Sequence, residues 1–152
     1  MSIAYYTENV KLPKQFNKRR ITQWIKKVVL SHGKETANIV YIFCDDDKML
    51  EINKQYLQHD YYTDIITFDY TEGDNLSGDL FLSLETVRTN SEKFKTDYDE
   101  ELRRVIIHGI LHLCGYNDQT PTEKKTMRAK EKDALGLFEV LGASGRGALI
   151  KT

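Results

Sequence analysis

The chain has 152 residues, 40% hydrophobic and 30% charged, with a formal net charge of −1. That length suits one domain, the apolar share supports a packed core and argues against disorder, and the near-neutral balance excludes a surface that is basic all over for nucleic acid. The start, MSIAYYTENVKLP, has no apolar stretch behind a basic patch and no apolar run spans a bilayer, so a cytoplasmic protein with Cys44 and Cys114 as reduced thiols is predicted.

Ile3 to Tyr6 has the β-branched and aromatic content of a first strand. Ile21, Trp24, Ile25 and Val28 recur at helical spacing. Lys11, Lys14, Lys18, Arg19, Arg20, Lys26 and Lys27 crowd this region, and a second basic group, Lys124, Lys125, Arg128 and Lys130, is diluted by Glu123, Glu131 and Asp133. Solvated helix faces account for such charge, and phosphate contact is the sharper alternative. Ile39 to Cys44 reads as a strand covered on both faces. Asp45, Asp46 and Asp47 follow, then Met49, Ile52 and Tyr56 at helical spacing; capping of that helix explains the acidic triplet, with a magnesium site as the alternative.

Ile65 to Tyr70 and Leu80 to Leu84 read as further strands, with Thr71 to Gly78 as the hairpin loop between them. Val87 and Phe94 suggest a helix. Asp97 and Glu100 start another, which runs through Leu102, Val105, Ile106 and Leu113 and ends at Gly115. Thr120, Pro121 and Glu123 form a second start signal, for a helix reaching about Leu135 with Gly136 past its end. The expected fold is α+β, a small mixed sheet of about four strands covered by about five helices, with a metal site at the end of a buried helix. Residues 1–141 form the expected single metal-binding hydrolase domain, and the Gly-rich 142–152 a flexible tail.

The chemistry concentrates in His108-Gly109-Ile110-Leu111-His112-Leu113-Cys114-Gly115-Tyr116-Asn117-Asp118. Residues four apart share a helix face, so His108 and His112 can present two imidazoles to one point. Gly115 lets the chain leave the helix, and the short loop can return the Asp118 carboxylate toward them. Two His and one Asp suit zinc, with a fourth position left to water. The competing account makes both histidines core residues. It requires buried partners for two imidazoles in a nearly all-apolar helix, and the local sequence offers few. Asp118 could alternatively cap the turn. Cys114, two residues after His112, points to another face and is expected to be a core thiol. The helical metalloprotease signature carries Glu as general base directly after its first His; here that position is Gly109.

This segment resembles the signature of the YbeY family of bacterial rRNA maturation factors, His-Gly-x-Leu-His-Leu-x-Gly-Tyr-Asp-His. Asn53, Tyr56, Asp60, Thr63, Asp64, Ile65 and Phe68 resemble its Asn-x-x-Tyr-Arg…Asp-x-Pro-Thr-Asp-Val-Leu-Ser-Phe, Gly78-Asp79-Leu80 its Gly-Asp-Ile strand, and Glu101-Leu102 its Glu-Leu pair. The resemblance spans about Val40 to Leu135. It implies a zinc-dependent, single-strand-specific endoribonuclease acting in rRNA 3′-end maturation and ribosome quality control. Its partners would be single-stranded rRNA and the ribosome or ribosomal proteins. One zinc per chain would be held at the signature's first, fifth and eleventh positions, which are His108, His112 and Asp118 here. The third ligand is thus Asp where the pattern has His, and carboxylate oxygen serves zinc well. The family's Arg after Tyr is Leu57 here, with Gln58 and His59 close by. A guanidinium there would suit the charge developing on a phosphodiester.

Two further functions remain open on sequence: a ribosome-associated RNA-binding factor whose metal is structural, and, more weakly, a metallopeptidase. An open coordination position beside a cleft favours the enzyme, and a closed one the binding factor. No general base is assigned; Asp64 and His59 are candidates by position.

Overall fold

The computed structural model describes residues 2–57 and 63–151, without the side chains of 57 and 143–151. Ser2–Thr7 forms β1, Lys18–Ser31 α1 and Glu35–Cys44 β2. Asp46–Ile52 forms α2, which runs on into a wider π-helical stretch, Asn53–Leu57. Ile65–Asp69 is β3, Asn75–Ser83 β4, Leu84–Lys93 α3, Tyr98–Leu113 α4 and Pro121–Lys151 α5. One four-stranded sheet has the order β1-β2-β4-β3. β1 and β4 both run parallel to β2, and only β3 is antiparallel to its neighbour β4. The expected mixed α+β architecture is the one observed.

Alternation along β2 buries Ile39, Tyr41 and Phe43 on one face, while Val40 and Ile42 on the other are half-buried. The strand is therefore covered unequally, not on both faces as its continuous apolar run suggests. Cys44 at its end joins Met49, Ile52 and Ile66 in a small second cluster. The main core gathers α1, α4 and α5 on the better-covered face. There the Tyr41 hydroxyl donates to the Ile106 carbonyl at 2.6 Å and the Trp24 indole N–H to the Ala134 carbonyl at 2.8 Å. Both buried polar tips are thereby satisfied, and both fix a helix against its neighbour.

Capping residues start the helices where the sequence places them. Asp45 accepts from the Lys48 N–H, Asp97 from the Glu100 N–H, and Thr120 from the Glu123 N–H, while Glu123 reaches back to the Thr120 N–H at 2.9 Å. Of the two readings of the acidic triplet, capping is what Asp45 performs; Asp46 accepts from the Ser83 and Thr86 hydroxyls.

Several boundaries differ from expectation, β2 among them, which begins at Glu35 rather than Ile39. β4 begins at Asn75, so much of the supposed loop is strand. The hairpin turn is Gly73-Asp74 alone, closed by reciprocal backbone bonds between Glu72 and Asn75, with Gly73 at a φ of 60°. Gly78 lies inside the strand because a Cβ there would sit 2.7 Å from the Phe68 carbonyl oxygen. Ser83 caps α3, so helix starts at Leu84 where strand was expected. Finally, α5 does not stop at Leu135. Phe138 is buried beyond Gly136, in edge contact with Trp24 and between the guanidiniums of Arg20 and Arg103. That packing outweighs the cost of about 1 kcal/mol for one helical glycine. The helix continues to Lys151, across residues where glycine content suggests a loose tail; no Pro interrupts them.

Candidate metal centre

α4 buries Leu102, Val105, Ile106, Ile107, Ile110 and Leu111 against neighbouring elements and keeps its polar side chains to the remaining face. Its last turns carry His108 and His112. Gly115, at a φ of 107°, breaks the helix, and the Tyr116 N–H bonds back to the Leu111 carbonyl. The chain then reverses, and Asp118 arrives just before the cap of α5. His108 Nε2 lies 3.1 Å from His112 Nε2 and 3.2 Å from Asp118 Oδ2, and His112 Nε2 lies 3.6 Å from the same oxygen.

These separations can be tested against zinc. Donors at about 2.0–2.1 Å in a tetrahedron stand about 3.3–3.4 Å apart. The three observed spacings bracket that value, so this donor set fits one small tetrahedral cation. The protonation pattern fits as well. His108 Nδ1 is 2.6 Å from Glu131 Oε2, and a carboxylate there accepts a hydrogen bond from the Nδ1–H, which in the neutral ring leaves the Nε2 lone pair facing its two electron-rich neighbours. Burial alone would lower the His108 pKa, but the hydrogen bond and charge of Glu131, with Asp118 and Asp64, hold it above the usual histidine value, so a cation arriving at Nε2 competes with a proton there.

A cleft of about 490 Å³ opens beside the three donors, which line it together with Asn53, Asp64 and Thr67. Asp64 and Asp69 join Asp118 there, and no Lys or Arg is among its described lining residues. Burial pushes the Asp64 carboxyl above the usual range, against the opposing charges of Arg104 and His108. Of the other sequence candidates, the Leu57 side chain, Gln58, His59 and Asp60 lie outside the described residues. Cys114 packs against the main core rather than with the donors, and burial raises its thiol to about 11.

Gly109 has a packing explanation. A Cβ there would collide with the Leu80 side chain and come within 2.8 Å of Ile65 Cδ1, so α4 sits directly on β3 and β4 at this point. The position that carries Glu in the protease helix is thus filled by the sheet. Gly109→Ala is expected to destabilise the fold by about 1–3 kcal/mol through overpacking, a fall of several degrees in a thermal melt. An unchanged melting temperature would refute the close-approach account.

Sequence reasoning missed the groups behind His108. Glu131, only 4% exposed, was read as a surface charge. It also accepts from Arg104, whose guanidinium forks onto Glu101 at 2.9 and 2.7 Å and reaches Asp64 at 3.8 Å. Helical spacing offered part of the signal, because Glu101, Arg104, His108 and His112 fall three and four apart on one face. Glu131 had no local signal.

A family model described as Endoribonuclease YbeY matches residues 2–139. Proteins named Endoribonuclease YbeY from Parabacteroides distasonis and Bacteroides thetaiotaomicron are each 61% identical to this chain. The first aligns over 91% of this chain and 96% of its own length, the second over 90% and 99%. A solution structure from Thermotoga maritima superposes with a TM-score of 0.67 at 25% identity, covering 95% of this chain and 93% of that one. With the fold, the signature helix and these relatives in agreement, the chain belongs to the Endoribonuclease YbeY family.

Proposed function

We propose that this protein is a zinc-dependent, single-strand-specific endoribonuclease acting in rRNA 3′-end maturation and ribosome quality control. Residues 1–141 would be its hydrolase domain, and His108, His112 and Asp118 would hold one zinc per chain. The observation that carries this reading is the convergence of three zinc-spaced donor atoms on an open cleft, in a chain whose relatives are named endoribonucleases. When bound, zinc would supply a Lewis acid for the phosphodiester and an acidified water.

The protein's own groups divide the remaining work. His108 and His112 offer neutral nitrogen donors and Asp118 a charged one, so the site keeps one compensating negative charge. Asp64, whose carboxyl burial raises above the usual range, is the cleft acid best placed to exchange a proton during turnover. With three carboxylates and no cationic side chain among the cleft's described lining, phosphate would be attracted by the metal rather than by the wall. Backbone attraction would come from exposed lysines such as Lys18, Lys26 and Lys27 on α1. The partners of this reading are single-stranded rRNA and the ribosome or its proteins, in the cytoplasm. No helix among the described residues is long and apolar enough to cross a membrane.

The test is cleavage of matched single-stranded and duplex rRNA fragments by the purified protein, with and without chelator. Chelator-sensitive cleavage restricted to single strands is expected. RNA binding that survives chelation, with no cleavage under any condition, would instead favour a binding factor with a structural metal.

A further inference from the structure

Glu131 sits one shell behind the donor set, on a different helix from both histidines. Its carboxylate is divided between two partners: Oε2 meets His108 Nδ1 at 2.6 Å, and Oε1 accepts from Arg104 at 3.3 Å. Arg104 is itself oriented by a two-point hold on Glu101. Glu101 and Arg104 both belong to α4, the helix that carries His108. The arrangement is therefore a loop of contacts that starts on α4, crosses to α5 and returns to α4 at the imidazole. Glu131 cannot swing away without breaking the Arg104 contact, and the His108 ring cannot rotate without losing its proton acceptor.

We propose that Glu131, steered by Arg104, is the positioning residue that aims His108 Nε2 at the metal. The inference rests on the metal reading of the site and adds to it the group that selects the tautomer and ring angle of one ligand. A neutral imidazole has two tautomers, and only the one protonated at Nδ1 leaves Nε2 free for a cation. Glu131 removes that ambiguity and raises the donor strength of the ring. Asp118 and His112 then meet a ligand already oriented, so less ordering is required when the ion binds.

The experiment is zinc affinity of the full chain, measured by competition with a chromophoric chelator, together with the visible absorption bands of the cobalt(II)-loaded protein. Wild type, Glu131→Gln and Glu131→Ala would be compared, each checked for folding by circular dichroism in chelator. Glu131→Ala is expected to weaken zinc binding by about 10–100-fold and to shift the cobalt bands. Glu131→Gln keeps an acceptor oxygen in place without its charge, so a smaller loss is expected, whereas a mere packing role would leave this variant of the same size at wild-type affinity. Should the Ala variant fail to fold, the Gln variant decides alone: weakened binding supports the proposal and wild-type binding overturns it. Equal affinity and identical spectra in all folded proteins would overturn the positioning role while leaving the metal site standing. A wild type that takes up no zinc would overturn both.

Discussion

His112→Ala is expected to reduce bound zinc from about one equivalent to near none and to lower RNA cleavage by about a thousandfold or more. The magnitude follows from the several kcal/mol that a metal contributes to stabilising transition-state charge, at 1.36 kcal/mol per tenfold in rate. His112 is the better of the two histidines for this test. Its side chain is 28% exposed against 17% for His108, and it does not share the Glu131 contact, so truncation disturbs the core least. Asp118→Ala should behave alike, with Asp118 Oδ2 lying 3.2 and 3.6 Å from the two Nε2 atoms. Asp118→His, which restores the family pattern, should retain the metal, because a ligand position accepts either donor. Elemental analysis of the purified variants, followed by single-turnover cleavage, reads the result. Equal zinc in wild type, His112→Ala and Asp118→Ala would sink the site.

Arg104→Met should be the most destabilising single change on α4 away from the apolar core. Glu101 and Glu131 are 5% and 4% exposed, and Arg104 supplies the guanidinium that both carboxylates contact. Hydrogen bonding to Glu101 leads the interactions that raise the Arg104 pKa, so the guanidinium stays charged. Removing one partner of a buried ion pair costs about 3–5 kcal/mol, chiefly because the other charge is left without compensation. Arg104 is itself about a third exposed, and water reaching the site lowers the expectation to about 2–4 kcal/mol. Urea unfolding of the metal-free protein should show a lower midpoint at an unchanged slope. Adding Glu101→Gln to Arg104→Met should recover part of the loss, since it removes one of the stranded charges. A single variant as stable as the wild type would show that these carboxylates gain nothing from Arg104.

The legible parts of this molecule were the local ones. Apolar periodicity placed α1 and α4, and side-chain caps placed the starts of α2, α4 and α5, because a cap bonds to backbone only two or three residues away. Boundaries set by distant packing were not legible. Gly136 reads as a helix end until Phe138 is seen held by Trp24, Arg20 and Arg103, and Gly78 reads as a turn until the Phe68 carbonyl is found against it. In both cases a residue whose local preference is to break structure is overridden by contacts from elsewhere in the chain.

The candidate site divides along the same line. By itself the sequence determined that His108 and His112 share a helix face, since a four-residue interval is nearly one helical turn, and that a chain released at Gly115 could return Asp118 toward them. Tertiary structure decided the rest. It brought the three donors to separations of 3.1–3.6 Å, laid α4 against the Leu80 and Ile65 side chains at Gly109, and docked α5 so that Glu131, 23 residues from His108, accepts the hydrogen bond of its ring N–H. The reason is physical: helical spacing and caps act over a turn or two of backbone, whereas the partner of a buried ring nitrogen is set by which helices pack together.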